Sequence, residues 1–277
     1  MLGTAFPAAR LLLVEQPFPW GPEGLRTSHF DAGTALALEA RGRDEGVRVQ
    51  AIRGLGRSPD GLLRRWTLVD TRAATLSMRS GVFTEDAELL ELPLDGSAGE
   101  TDLEPLYLVC THGRHDACCA ARGRPVVAGL AAARPGRVWQ SSHLGGCRFA
   151  PTVLVLPSGV MYGRVPPSAV DDLVTATDAG EVIGDLIRGR IGMPPAAQAA
   201  VAFAHERLTL ARAQDVRLMA TTAVDNNTVL VRIGSPQGEF DITVRRTRVD
   251  ATGLTCATPG PSWFVAHQPT AIEPRAS

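Results

Sequence analysis

The chain has 277 residues, 44% of them hydrophobic and 21% charged, with a formal net charge of −1. A chain of this composition can bury a real core, and its near-neutral balance gives no support to nucleic acid or an anionic membrane as a partner. No stretch reaches the ~18 uninterrupted apolar residues of a membrane-spanning helix, and the short apolar run between Arg10 and Glu15 falls well below a signal-peptide core, so the expected compartment is the cytoplasm.

Residues 11–15 (LLLVE) read as a buried strand, followed by the turn-rich PFPWGPEG. Asp31 is placed to cap a helix ending near Gly42. VRVQAI (47–52) alternates as a strand does, and 63–70 with 74–80 suggest a hairpin. AELLELPL (87–94) is a further strand candidate, and 95–105 is polar and small enough for a linker. LYLVC then opens a second block with the same order. It continues through an alanine-rich helix ending before Pro135, the strand RVWQSS, and two strands, TVLVLP and VMYGRV, joined at Ser158-Gly159. A helix from Pro167 through DLIRG closes the block.

The order β-α-β-β-β-α resembles a thioredoxin-like sheet. The first hundred residues repeat most of it, so the N-terminal half reads as a degenerate copy without ligands, although β-α-β order is common in α/β proteins. Beyond Pro195 a helix through Ala213 leads into three antiparallel strands with turns at 224–228 and 235–238. The expected organisation is an N-terminal α/β domain over 1–94, a ligand-bearing thioredoxin-like domain over 105–194, and a C-terminal unit over 195–277. That unit comprises a helix, antiparallel strands and a loosely structured proline-rich tail, which can fold back through Trp263 and Phe264.

Four of the five cysteines lie between positions 110 and 147. An odd, clustered set reads as metal-binding or catalytic rather than as a disulfide framework. Cys110 and Cys119 follow one strand; His143 and Cys147 follow another. Thiolate and imidazole are the borderline-soft ligands that zinc, iron and iron–sulfur clusters select. The glycines between His143 and Cys147 let backbone approach a bulky inorganic core and supply amide donors to its sulfides.

CTHGRHDACCAARGRP followed by SSHLGGCRFAPTVLVLPSG resembles the sucrase/ferredoxin-like family, relatives of thioredoxin-like ferredoxins. The likeness is strongest over 105–165, with weaker matches in LLLVEQPFPWGPEGLRTS and in a Trp near the end. It implies a [2Fe–2S] cluster on a thioredoxin-like fold, held by Cys110, Cys119, His143 and Cys147. His115 stands where the family pattern usually has arginine, and position 147 is Cys where some members carry a second His. The family spacing also selects Cys119 over the adjacent Cys118, which becomes a bystander.

His112 and His115 read first as loop hydrogen-bonding groups, with tuning of the site as the sharper alternative. Arg114 and Arg148 read as solvated, or as offsetting cluster charge. Cys256 reads as a small buried residue, and His29, His205 and His267 carry no motif. The implied function is one-electron transfer, with an electron donor such as a ferredoxin reductase and an acceptor as partners; the oligomeric state stays open, a homodimer included. A Cys3His zinc site is the main alternative. Thiol redox chemistry lacks a C-x-x-C at the strand–helix junction. Glycoside hydrolysis requires paired carboxylates, and no motif singles out Asp70, Glu85, Asp86 or Glu88.

Overall fold

The computed structural model describes residues 1–56, 63–72 and 76–275. The apolar run after Arg10 forms β1 (Arg10–Glu15). Leu11 and Leu13 enter one core and Leu12 and Val14 another, all fully buried. Unbroken apolarity is what a strand covered on both faces requires. α1 (Ala32–Asp44) begins where Asp31 accepts the Thr34 amide at 2.7 Å, satisfying one of the helix's unpaired N-terminal donors. β2 (Val47–Arg53) returns parallel to β1, and β3 (Arg64–Asp70) and β4 (Ser77–Phe83) follow antiparallel. The first residues of the expected strand 74–80 lie partly outside the described residues. A two-residue strand, β5 (Glu100–Thr101), edges β4 inside the expected linker.

The second half repeats this plan. β6 (Leu106–Cys110) leads through α2 (Ala117–Ala133) to β7 (Val138–Ser141), parallel to β6. β8 (Thr152–Leu156) and β9 (Val160–Gly163) add antiparallel strands, and α3 (Val170–Asp178) packs on α2. β10 (Ile187–Arg190) extends the edge beside β9. The strand order β10-β9-β8-β6-β7-β2-β1-β3-β4-β5 contains the same four-strand order twice, read outward from the β7–β2 junction. The fold is α/β with a thioredoxin-like core, its four-strand order doubled within one ten-stranded sheet. The junction is an antiparallel pairing of Ile52 with Ser141 and Arg53 with Gln140.

α4 (Pro195–Arg207) stops short of the expected Ala213 and packs between β10 and a second sheet. That sheet runs in the order β11 (Arg217–Ala223), β12 (Thr228–Ser235), β13 (Gly238–Thr252), β14 (Pro261–Pro274). Ala197, Ala200 and Ala204 present a flat helix face to Val231, Ile233, Ile242 and Val244. Among the described residues no helix is long and apolar enough to cross a membrane.

Three expectations are corrected. Residues 87–94 are not a strand: Asp86–Leu90 form a short 3₁₀ helix, because Glu88 accepts the Thr84 and Glu85 amides and closes a capping box. The third helix does not continue through DLIRG. It ends at Asp178, with Gly180 at φ +70 reversing the chain, and the remainder forms a 3₁₀ turn and β10. The proline-rich tail is ordered as β14, the edge strand of its sheet, where missing amide donors are tolerated; Pro269 sits beside a register shift at Thr243/Val244.

His205, buried near the end of α4, donates from Nδ1 to the Leu210 carbonyl at 2.8 Å. Burial holds its pKa below the ordinary value. The unfolded chain therefore takes up a proton that the folded chain resists, so this group's contribution to stability is lost as pH falls through about 6.5. Urea unfolding at pH 7.5 and 5.5 should show a larger loss for the wild type than for His205→Gln; equal losses would exclude His205 as a source of acid sensitivity.

Candidate metal centre

Each expected ligand sits where its element ends. Cys110 is the last residue of β6, and Cys119 lies in the first turn of α2, whose N-cap is Asp116. His143 follows β7, and Cys147 opens a one-turn 3₁₀ helix capped by Gly146. β6 and β7 are parallel neighbours in register from Tyr107↔Val138 to Cys110↔Ser141. Their C-terminal ends, and both candidate ligand loops, therefore fall at the same end of these two central strands.

The four side chains meet in a ring. Cys110 contacts Cys119 and His143, and Cys147 contacts Cys119 and His143. The Cys147 Sγ to His143 Nδ1 distance is 3.6 Å. The three cysteines are buried and His143 is half-buried. Hydrogen bonding from Cys119, then from His143, holds the Cys110 thiol well below its ordinary pKa. The Cys119 contact also brings Cys147 down to about 6 against the effect of burial, while the shared thiol of Cys119 is pushed up. Burial alone would lower His143, but its hydrogen bonds to Cys110 and Cys147 raise it to about 9. Three sulfurs and one imidazole nitrogen form a soft donor set, with the Asp116 carboxylate against Cys147 beside it. These residues fit a thiophilic metal or an iron–sulfur cluster.

The flanking histidines divide in role. His112 is buried; its Nε2 donates to the Gly21 carbonyl at 2.7 Å and its Nδ1 accepts the His143 amide at 3.1 Å. Both ring nitrogens are thereby committed to hydrogen bonds, as the loop reading expected. His115 is exposed, and its ring lies 3.8 Å from that of His143. It also falls within 4.8 Å of His143 and Cys147 by ligand atoms, making it a spare donor at the solvent edge.

The N-terminal half carries none of the four expected ligands but builds one wall. Gly21 lies in the loop after β1, the counterpart of the first ligand loop. Arg48 donates to the His143 carbonyl at 3.0 Å, Gln50 donates to Ser142 Oγ, and the Ser142 amide reaches the Ala51 carbonyl at 2.9 Å. A cleft of about 480 Å³ between the halves is lined by Gly24, Arg48, Gln50, His112, His115 and His143.

A residue that carried no sequence signal completes the site. Arg188, on β10, is 1% exposed. Its guanidinium donates to the Gly145 carbonyl at 3.0 Å, to Thr4 Oγ1 at 3.0 Å, to the Thr4 carbonyl at 2.5 Å and to Thr152 Oγ1 at 3.3 Å. Among the described residues it pairs with no carboxylate. Burial lowers its pKa to about 10, opposed by the nearby charge of Cys110, Cys147 and Cys119. Gly146 is required beneath it: φ is +67, and a Cβ there would lie 2.5 Å from an Arg188 nitrogen. Arg148 is half-buried between the rings of Phe149 and Phe264, each 4.4 Å from its guanidinium carbon, whereas Arg114 is exposed. Cys256 is exposed, not buried as expected, because it lies in the turn between β13 and β14. The carboxylates weighed for sugar hydrolysis serve elsewhere: Asp70 bonds Arg72, and Asp86 pairs with Arg64.

A family model described as sucrase/ferredoxin-like matches residues 47–189, just over half of the 277-residue chain, and spans all four ring residues. No curated protein matches the chain at a significant level. Among solved structures, a thioredoxin-like [2Fe–2S] ferredoxin from Aquifex aeolicus is 25% identical, the match covering 33% of this chain and 94% of that one, with a TM-score of 0.28. Two cysteine-to-serine variants of the thioredoxin-like [2Fe–2S] ferredoxin from that organism are 23% and 24% identical. Each match covers 30% of this chain and 97% of the other, with a TM-score of 0.27.

Proposed function

This chain belongs to the sucrase/ferredoxin-like family, and from that premise we propose that it is a one-electron carrier whose [2Fe–2S] cluster is held by Cys110, Cys119, His143 and Cys147. The observation that carries the reading is the closed ring of three sulfurs and one imidazole at the shared end of β6 and β7. A cluster bound there would accept and release one electron.

The chain's own residues do the rest. The buried cysteines keep water from the sulfur side, and His112 fixes the His143 amide, so the imidazole is held in one place. Gly145 and Gly146 bring backbone close without a side chain. Arg188 supplies positive charge behind the ring. The half-buried His143 and exposed His115 mark the solvent edge, where a redox partner protein would approach. Neutral imidazole in place of one thiolate places the potential between roughly −400 mV for four-Cys plant-type clusters and roughly −150 mV or above for two-His clusters.

Iron and acid-labile sulfide should each be found at about two per chain, as a [2Fe–2S] site requires, in a protein that absorbs in the visible and bleaches on reduction. The second reading is a zinc protein: three cysteines and one histidine also make a Cys3His donor set for one tetrahedral ion. A colourless protein with one zinc per chain would replace the first reading with the second.

A further inference from the structure

We propose that Cys118 and Cys256 form a second thiol site, a reversible disulfide that latches the β13–β14 hairpin onto the N-terminus of α2. The inference is independent of what the neighbouring ring binds.

The two cysteines are brought together by Asp116. Its Oδ1 accepts from the Cys118 amide at 3.3 Å and from the Cys118 thiol at 3.1 Å; its Oδ2 accepts from the Cys256 amide at 3.0 Å, across 140 positions of sequence. The two sulfurs and an Asp116 oxygen all lie within 4.8 Å of one another. A sulfur–sulfur bond of about 2.05 Å is therefore within reach of side-chain rotation and a small shift of the surface turn. Cys118 and Cys119 occupy successive helix positions, about 100° apart around the axis. Cys119 thus turns into the ring while Cys118 turns toward the hairpin. The hairpin is docked there by an unrelated contact, the Phe264 ring stacked on Arg148 next to Cys147.

The chemistry balances with a low-molecular-weight disulfide as oxidant. The exposed Cys256, as thiolate, attacks one sulfur of the disulfide and expels one thiolate, leaving a mixed disulfide on Cys256. Cys118 then passes its thiol proton to the Asp116 carboxylate that already accepts it at 3.1 Å, and attacks the Cys256 sulfur, expelling the second thiolate. Two protein thiols are oxidised, one external disulfide is reduced to two thiols, and each departing thiolate takes up one of the protons released. Attack on the small disulfide falls to Cys256 because it is exposed, and resolution falls to the half-buried Cys118 beside it.

The test uses the full-length protein as purified, its metal content measured in parallel, incubated with oxidised glutathione. Free thiols are then alkylated under denaturing conditions and the digest read by mass spectrometry. The expected product is a Cys118–Cys256 linked peptide, with two alkylable thiols lost and both restored by dithiothreitol. It should form whether or not iron is bound. Cys118→Ser should halt the reaction at a glutathione mixed disulfide on Cys256, and Cys256→Ser should yield neither species. The latch is overturned if glutathione persists on Cys256 in the wild type, if Cys256 links to Cys119, or if neither cysteine is modified.

Discussion

Cys110→Ala, Cys119→Ala and Cys147→Ala are each expected to yield protein that is colourless or loses iron within a desalting step, whereas Cys118→Ala keeps the visible spectrum. Each of the three removes one of four protein donors, and an alanine at the end of β6, in the first turn of α2 or in the 3₁₀ turn offers nothing in its place. Each ring cysteine is also buried against the shared core between the halves. Loss of one thiol costs its neighbours a hydrogen bond but removes little volume at the end of the sheet, so the fold should persist. Far-UV circular dichroism would then match the wild type while the iron count falls. Cys118 instead meets Asp116 and the Cys147 carbonyl, the latter at 3.8 Å. A colourless Cys118→Ala beside a coloured Cys119→Ala would exchange the two assignments.

Arg188→Leu is expected to destabilise the protein by about 3 kcal/mol, since it removes the donor that satisfies the half-buried carbonyls of Gly145 and Thr4 and the buried hydroxyl of Thr152. The loss should appear as a lower urea midpoint and as faster loss of metal, because Gly145 belongs to the loop carrying His143 and Cys147. Arg188→Gln separates position from charge. The amide retains a donor for the loop carbonyl but carries no charge. A cluster with three thiolate ligands is anionic, and reduction adds a further negative charge; a buried cation behind it favours the reduced form. The Gln variant should therefore hold its cluster yet show a more negative potential than the wild type. An unchanged potential would reduce Arg188 to a scaffold residue, and an unchanged midpoint in Arg188→Leu would remove the scaffold role as well.

The candidate donor set was legible because its chemistry and its local structure coincide in sequence. Cys110 and Cys119 bracket one strand-to-helix connection, His143 and Cys147 follow one strand, and both runs fall within 38 residues. A parallel β6–β7 pair leaves no choice about where those loops go. The doubled strand order was legible for the same reason: alternation and turn chemistry are local, and β1 and β6 each announce themselves as apolar runs. Element ends were less so. Residues 87–94 carry enough leucine to read as a strand, but the reciprocal hydrogen bonds of Glu85 and Glu88 favoured a 3₁₀ turn. Pro269 and Pro274 made the tail read as loose, yet an edge strand needs no amide from them.

What only the tertiary structure decided lies at long range. The commitment of both His112 nitrogens depends on Gly21 and His143, and the wall of the cleft depends on Arg48 and Gln50 from the other half of the sheet. Arg188 looks in sequence like one more strand arginine, and it is buried by distant segments, residues 1–9 beside β10 and the Gly145–Thr152 loop. Cys256 has no local partner at all. The sequence by itself determined which sulfurs and imidazoles are candidate donors and which strands carry them. The packing of distant segments determined which charges and thiols surround them, because burial and sulfur–sulfur proximity are properties of chain crossings that no local pattern encodes.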